Sequence, residues 1–240
     1  MGDYRERIIS LIYPRRCPVC DQVVPRIGMY ICPGCREKLE YIEEPVCFKC
    51  GKPVAEGREW CGDCENQAHV FTRGAALCTY PCVRESLYRV KYQGRREYLD
   101  FFAEEIVRRM GAQIRLWQAD AVTGVPLHKK RQRKRGYNQS ALLAEKIGRK
   151  MGIPYDENLV LRVKNTVPQK SLTVPERQNN LKKAFIIGQN VVKLKTIIVI
   201  DDIYTTGSTI DAVARVLTEA GAARVYFIAI AIGRSPDMPL

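Results

Sequence analysis

The stretch TIIVIDDIYTTGST, residues 196–209, decides how the chain is read. Thr196 to Ile200 is an apolar, β-branched run of the kind that forms a strand buried on both faces. Two adjacent carboxylates, Asp201 and Asp202, stand at its carboxyl end, and small hydroxyl residues around Gly207 follow. Burying carboxylates is costly unless something holds them. A Gly-containing turn feeding a helix presents backbone N–H groups and a positive dipole end, which suits a phosphate. Thr205, Thr206, Ser208 and Thr209 add hydroxyl donors. Two aspartates facing that phosphate would repel it; they fit a ligand that also carries neutral hydroxyls, or a divalent cation. A ribose 5-phosphate meets both demands. A Walker-type nucleotide loop does not, because the Gly-x₄-Gly-Lys-Ser/Thr pattern is absent.

Working outward, strand and helix patterns alternate. Gly74 to Tyr80 predicts a strand, Arg84 to Tyr92 a helix with Leu87 and Val90 inward, and Tyr98 to Met110 a second helix. Asp120 to Pro126 predicts a short strand, and a basic loop runs on to Tyr137. Asn138 to Gly152 predicts a helix with Leu142, Leu143 and Ile147 on one face, stopped by Gly152. Leu159 to Val163 is strand-like, Val174 to Leu181 a short helix, Thr209 to Ala220 a helix, and Arg224 to Ile232 a last buried strand. Continuously apolar strands alternating with helices predict an α/β fold, a parallel sheet covered by helices on both faces. Ligands of such sheets bind at the carboxyl ends of the strands, where Asp201 to Ser208 lies.

The first part of the chain has another character. Eight of its ten cysteines fall in four CxxC pairs, Cys17/Cys20, Cys32/Cys35, Cys47/Cys50 and Cys61/Cys64, separated by 11, 11 and 10 residues. Each pair can form a tight knuckle, and two knuckles supply the four thiolates that tetrahedral Zn²⁺ favours. The simplest assignment is sequential, with Cys17, Cys20, Cys32 and Cys35 on one zinc and Cys47, Cys50, Cys61 and Cys64 on a second; the spacing also leaves an interleaved pairing open. Four thiolates leave no open coordination position, so both zincs are read as structural. Cys78 and Cys82 are read as packed thiols in a strand and the turn after it. We place a double zinc-ribbon module at 1–68 and the α/β domain at 69–240.

With 46% apolar residues a packed core is expected, and a net charge of +13 points to polyanionic partners. The eight thiolates and two Zn²⁺ would lower that charge without reversing it. The first residues hold a short apolar run and no small-residue cleavage site, so no signal peptide is expected. No run reaches a membrane span, and metal-binding thiols suit the reducing cytoplasm.

IIVIDDIYTTGST closely resembles the signature of type I phosphoribosyltransferases, which bind 5-phosphoribosyl 1-pyrophosphate (PRPP). PLHKKRQRKRGYNQS, with His128, Arg131, Arg135, Gly136, Asn138 and Gln139 in register, resembles the pyrophosphate-loop region of the ComF/GntX family. Residues 162–185 resemble that family's flexible loop at Arg162, Thr166, Gln169, Leu172, Arg177, Asn180 and Phe185. With the cysteine-rich start, the resemblance covers nearly the whole chain. It implies that Asp201 and Asp202 face the ribose hydroxyls, that Mg²⁺ bridges hydroxyls and pyrophosphate, and that Thr205, Thr206, Gly207, Ser208 and Thr209 cradle the 5-phosphate. Arg131 and Arg135 are the candidates for pyrophosphate, and Thr166 to Arg177 for a lid.

The resemblance also implies a role in uptake of single-stranded DNA during natural transformation, with other DNA-uptake proteins such as a helicase of the same operon as partners. Contact with the inner face of the membrane would then come only through those partners. From His128 to Arg135 every residue but Gln132 is basic or His. Pyrophosphate needs two or three of these cations, and the others are free to meet a DNA backbone or simply solvent. His128 fits either a general acid–base or a hydrogen-bonded structural role. Two functions stand side by side: a PRPP-binding DNA-uptake factor, and a working phosphoribosyltransferase of nucleotide salvage or synthesis with a nitrogen acceptor. A zinc-ribbon nucleic-acid binder with a passive α/β domain explains least. No residue stands out as a base-recognition element.

Overall fold

The structure is a computed structural model and describes residues 14–164, 181, 184–188 and 194–233. Its centre is a four-stranded parallel sheet in the order β1-β6-β5-β2, formed by β1 (Arg73–Thr79), β2 (Ala121–Gly124), β5 (Thr196–Tyr204) and β6 (Arg224–Ile232). A separate antiparallel pair joins β3 (Val160–Arg162) and β4 (Phe185–Ile187), so the strand expected near Leu159 lies outside the main sheet. Helices α1 (Pro33–Arg36) and α2 (Gly62–Asn66) are short turns of the cysteine-rich region. The others are α3 (Tyr80–Tyr92), α4 (Tyr98–Leu116), α5 (Lys129–Arg135), α6 (Gln139–Met151) and α7 (Ser208–Glu219).

The strand period of two divides the core between the sheet's faces. Ile198, Ile200 and Ile228 pack with Val83, Leu87 and Val90 of α3, Ile106 of α4 and Leu143 and Ile147 of α6. Ile197, Val199 and Phe227 pack on the other face with Ile210, Val213 and Leu217 of α7 and with Val160 and Phe185. Gly74 is required where β1 crosses Phe227, because a Cβ there would lie 1.8 Å from the ring.

The cysteine sulfurs gather in the sequential sets, Cys17, Cys20, Cys32, Cys35 and Cys47, Cys50, Cys61, Cys64, each within 4.8 Å of one another. A tetrahedral Zn²⁺ with bonds of about 2.3 Å holds its sulfurs roughly 3.8 Å apart. The Cys20–Cys32 and Cys50–Cys61 sulfur separations are 3.9 Å and 3.6 Å, so the two sets fit structural zinc.

The ribbons are built into the two cores. Val24, Ile31, Cys35 and Leu39 of the first join the face covered by α3, α4 and α6. Cys47, Cys50, Val54 and Cys61 of the second join the α7 face. Between them the chain crosses the open edge of β1, where Ile42 N donates to Leu77 O at 3.0 Å and Thr79 N to Glu40 O at 2.9 Å. Glu105 of α4 pins this arrangement. Only 1% exposed, it accepts from Arg36 at 2.5 Å, Arg108 at 2.6 Å and Tyr41 at 2.9 Å. Burial pushes its carboxyl up, but the bonds from Arg108, Tyr41 and Arg36 outweigh it and hold the pKa below the ordinary value.

Three local expectations change. The basic stretch expected as a loop is α5: Lys and Arg are good helix formers, His128 caps its start and Gly136, at φ +86°, ends it. Strand β5 runs on to Tyr204, because β6 continues to pair with it as far as Ile232. Cys82 sits in the first turn of α3 rather than in a turn before it, its thiol 3.2 Å from Thr79 O; Cys78 is buried in β1. The helix expected at Val174 to Leu181 and the lid at Thr166 to Arg177 lie outside the described residues, Leu181 excepted.

Shared cores make metal loss global. Chelation is expected to unfold the sheet with the ribbons in one circular-dichroism transition, and elemental analysis is expected to give two zincs per chain, falling to one in Cys17→Ser. Glu105→Gln is expected to cost about 1–3 kcal/mol in urea unfolding of the zinc-loaded protein. Because the folded pKa of Glu105 is depressed, its contribution is complete above the unfolded value of about 4.3 and is lost as pH falls through the folded one. Glu105→Gln is therefore expected to flatten that acid limb of the stability curve.

Candidate ligand-binding site

The carboxyl ends of β2 and β5, together with α3, α5 and α6, enclose a cavity of about 610 Å³. Asp201, Asp202, Thr205 and Thr209 line it from the signature stretch; Arg131, Arg135, Gln139 and Ser140 from α5 and α6; and Lys91, Tyr92 and Arg162 from elements distant in sequence. Thr206, Gly207 and Ser208 complete the loop between β5 and α7.

Both aspartates are at least nine-tenths buried and their backbone lies in the ladder to β6, so the side chains have fixed directions. Asp201 Oδ1 accepts from Ser140 Oγ at 3.1 Å and from the Asp202 backbone N–H at 2.8 Å. Asp202 pairs with the ammonium of Lys91. Burial and the neighbouring Asp202 raise the Asp201 pKa well above the carboxylate range. Burial acts on Asp202 in the same sense, but Lys91 outweighs it and the net shift is downward. Close carboxylates in a desolvated site resist ionising together, and that resistance is expressed in the raised pKa of Asp201. Asp202 faces the Lys91 ammonium, and Asp201 accepts from the Ser140 hydroxyl and the Asp202 N–H.

Ser140 reaches Asp201 because α6 starts hard against β2: a Cβ on Gly124 would lie 2.4 Å from Ala141 N. Asn138 sets that start, capping Ser140 N at 3.1 Å and donating to Val125 O at 3.0 Å. Three guanidinium groups meet this carboxylate end. Arg135 donates to Gln139 Oε1 and lies 5.6 Å from the centre of the Tyr92 ring. Burial, followed by the nearby Arg131, pushes the Arg162 pKa down to about 10, against the opposing pull of Asp201. The arrangement can accept a multiply charged anion on one side and sugar hydroxyls on the other.

The loop has its own support. Gly207 takes φ +79°, and an added Cβ would meet His69 Cε1 at 2.7 Å and Tyr204 Oη at 2.8 Å. The N-cap of α7 is Gly207, which has no side chain to offer its first N–H groups, and beside it Thr206 Oγ1 and Ser208 Oγ are 3.1 Å apart. The one acid of that first turn, Asp211, is turned away. It holds His69 Nδ1 at 2.7 Å and accepts from Val70 N at 2.8 Å. His69, which carries no assignment in sequence, is thus the strut between the end of the second ribbon and the loop. His128 acts as a helix cap, accepting from Lys130 N at 3.2 Å, rather than lining the cavity.

Lys91 and Ser140 were not singled out by sequence. Lys91 follows Val90 on a helix whose pattern marks only its core face, and nothing local signals its approach to Asp202.

A model of the double zinc ribbon domain matches residues 8–65, and a model of the phosphoribosyl transferase domain matches residues 138–239. Competence protein F of Haemophilus influenzae is 30% identical over 198 residues, 80% of this chain and 85% of its own. The DNA utilization protein YhgH of Salmonella typhimurium is 30% identical over 221 residues, 90% of this chain and 96% of its own. Competence protein ComFC of Bacillus subtilis is 29% identical over 208 residues, 80% of each chain. Similarity of this extent, across the ribbons and the phosphoribosyltransferase domain alike, places the chain in the ComF family.

Proposed function

We propose that the cavity binds PRPP with Mg²⁺, and that the protein assists uptake of single-stranded DNA in natural transformation. The observation that carries the first part is the meeting in one cavity of Asp201, Asp202, Thr205 and Thr209 with Arg131, Arg135 and Arg162. Thr205 to Thr209 and the start of α7 take the 5-phosphate, and Asp201 and Asp202 take the ribose hydroxyls. Arg131 and Arg135 take the pyrophosphate. Mg²⁺ would enter with the ligand and supply charge neutralisation there; Lys91 already pairs with Asp202, which leaves Asp201 as the carboxylate to hold it.

The second part is supported by the names of the relatives, two competence proteins and a DNA utilization protein, and by the net charge of +13. The protein would act in the cytoplasm alongside other DNA-uptake proteins, a helicase among them. Among the described residues no helix is long and apolar enough to cross a membrane.

Calorimetric titration of the zinc-loaded protein with PRPP and Mg²⁺ tests the site. Asp202→Asn is expected to weaken binding about ten- to a hundredfold, from the loss of a charged acceptor, and the Asp201→Asn/Asp202→Asn double variant more. Binding that is absent in the wild type, or unchanged in the double variant, refutes the reading. Gly207→Ala is expected to lose affinity comparably, since the added methyl displaces His69 or the loop. Pyrophosphate release across a panel of bases and amines separates a binding site from a working transferase.

A further inference from the structure

Helix α3 carries two large rings that the core does not use. Tyr88 and Tyr92 are 49% and 61% exposed, with ring centres 5.1 Å apart. Arg84, also exposed, precedes them at the same four-residue spacing, its Nε 3.5 Å from Glu85. The line Arg84–Tyr88–Tyr92 runs about 12 Å along the helix, or roughly three to four base steps of about 3.4 Å each. The other tyrosines that could serve bases are committed elsewhere: Tyr98 is buried, and Tyr137 donates to Val90 O.

That bond from Tyr137 also holds the end of α5 against α3, and Arg135 over Tyr92 makes a second contact between them. Helix α5 divides its cations by face. Arg131 and Arg135, one turn apart, turn into the cavity, while Lys129, Lys130, Arg133 and Lys134 are exposed. A paired-ring surface beside four solvent-facing cations matches a single strand of nucleic acid, whose bases offer π-faces and whose backbone needs cations. A duplex hides those faces. Exposed aromatic rings alone would also suit a protein partner, but the adjoining positive charge favours the polyanion.

We propose that the outer faces of α3 and α5 form a single-stranded DNA interface, with Tyr88 and Tyr92 stacking on bases and Lys129, Lys130, Arg133 and Lys134 neutralising phosphates. It rests on the DNA part of the reading above and adds where the strand lies: at the rim of the ligand cavity, which Tyr92 and Arg135 also line.

The test is fluorescence anisotropy with labelled oligo(dT) of about 15 nucleotides on the full zinc-loaded chain. Tyr88→Ala is expected to weaken binding about tenfold or more, Tyr88→Phe to stay within about twofold, and a duplex of equal length to bind at least tenfold more weakly. Replacing Lys129, Lys130, Arg133 and Lys134 with Gln is expected to flatten the dependence of log affinity on log salt by about 3. Tyr88 does not line the cavity, so PRPP titration of Tyr88→Ala should match the wild type and shows that the variant is folded. Wild-type binding of oligo(dT) that ignores Tyr88→Ala, an unchanged salt slope, or equal duplex binding overturns the interface and leaves the proposed function standing. If the wild type ignores oligo(dT), the interface and the DNA part of that function fall together. The PRPP part stands or falls on its own titration.

Discussion

Two carboxylates at the end of a strand buried on both faces are the constraint to which the rest of the site answers. Desolvation and mutual repulsion oppose their ionising side by side, and the groups that answer them come from different elements. Lys91 of α3 pairs with Asp202, and Ser140 of α6 donates to Asp201. With Lys91 beside the pair, the guanidinium groups of Arg131, Arg135 and Arg162 leave the cavity net positive. A pocket built around two acids thereby gains a charge that suits the anion proposed for it.

The same device recurs at the joints of the molecule. Glu105 and Asp211 are acids at least nine-tenths buried, and each fastens one ribbon to one face of the sheet. Glu105 gathers Arg36, Arg108 and Tyr41; Asp211 gathers His69 and the Val70 backbone. Charge-assisted bonds of this kind are directional, so they fix the angle at which the ribbon meets the sheet as well as its position. For Asp211 the result reaches the ligand loop, because His69 sits directly beneath Gly207.

Much of this was legible in the sequence, for physical reasons. CxxC spacing dictates converging sulfurs whatever the tertiary context, and the apolar run before Asp201 can only be a buried strand. The acidic pair and TTGST marked the place of the cavity, since Asp201, Asp202, Thr205 and Thr209 all line it. The helical form of 129–135 was hidden because its charged residues carry no apolar period, though Lys and Arg propensity and Gly136 argue for it in retrospect. Lys91 and the His69–Asp211 contact were beyond local reasoning. One depends on how α3 rolls against the sheet, the other on a pairing across 142 residues.

Strand β1 lies at the sheet's edge, and the strand it pairs with is β6, about 150 residues further along the chain. On the ribosome, β1 emerges well before its partner, so the sheet cannot close until the roughly 150 residues between them have been made. Through that interval an apolar edge strand would be open to mispairing. The segment between the ribbons already occupies the open side of β1 through Ile42 N and Glu40 O, and metal can set the ribbons before the sheet exists. Zinc supply would then govern yield during synthesis, a kinetic guard over a nascent edge, as much as the stability of the finished protein.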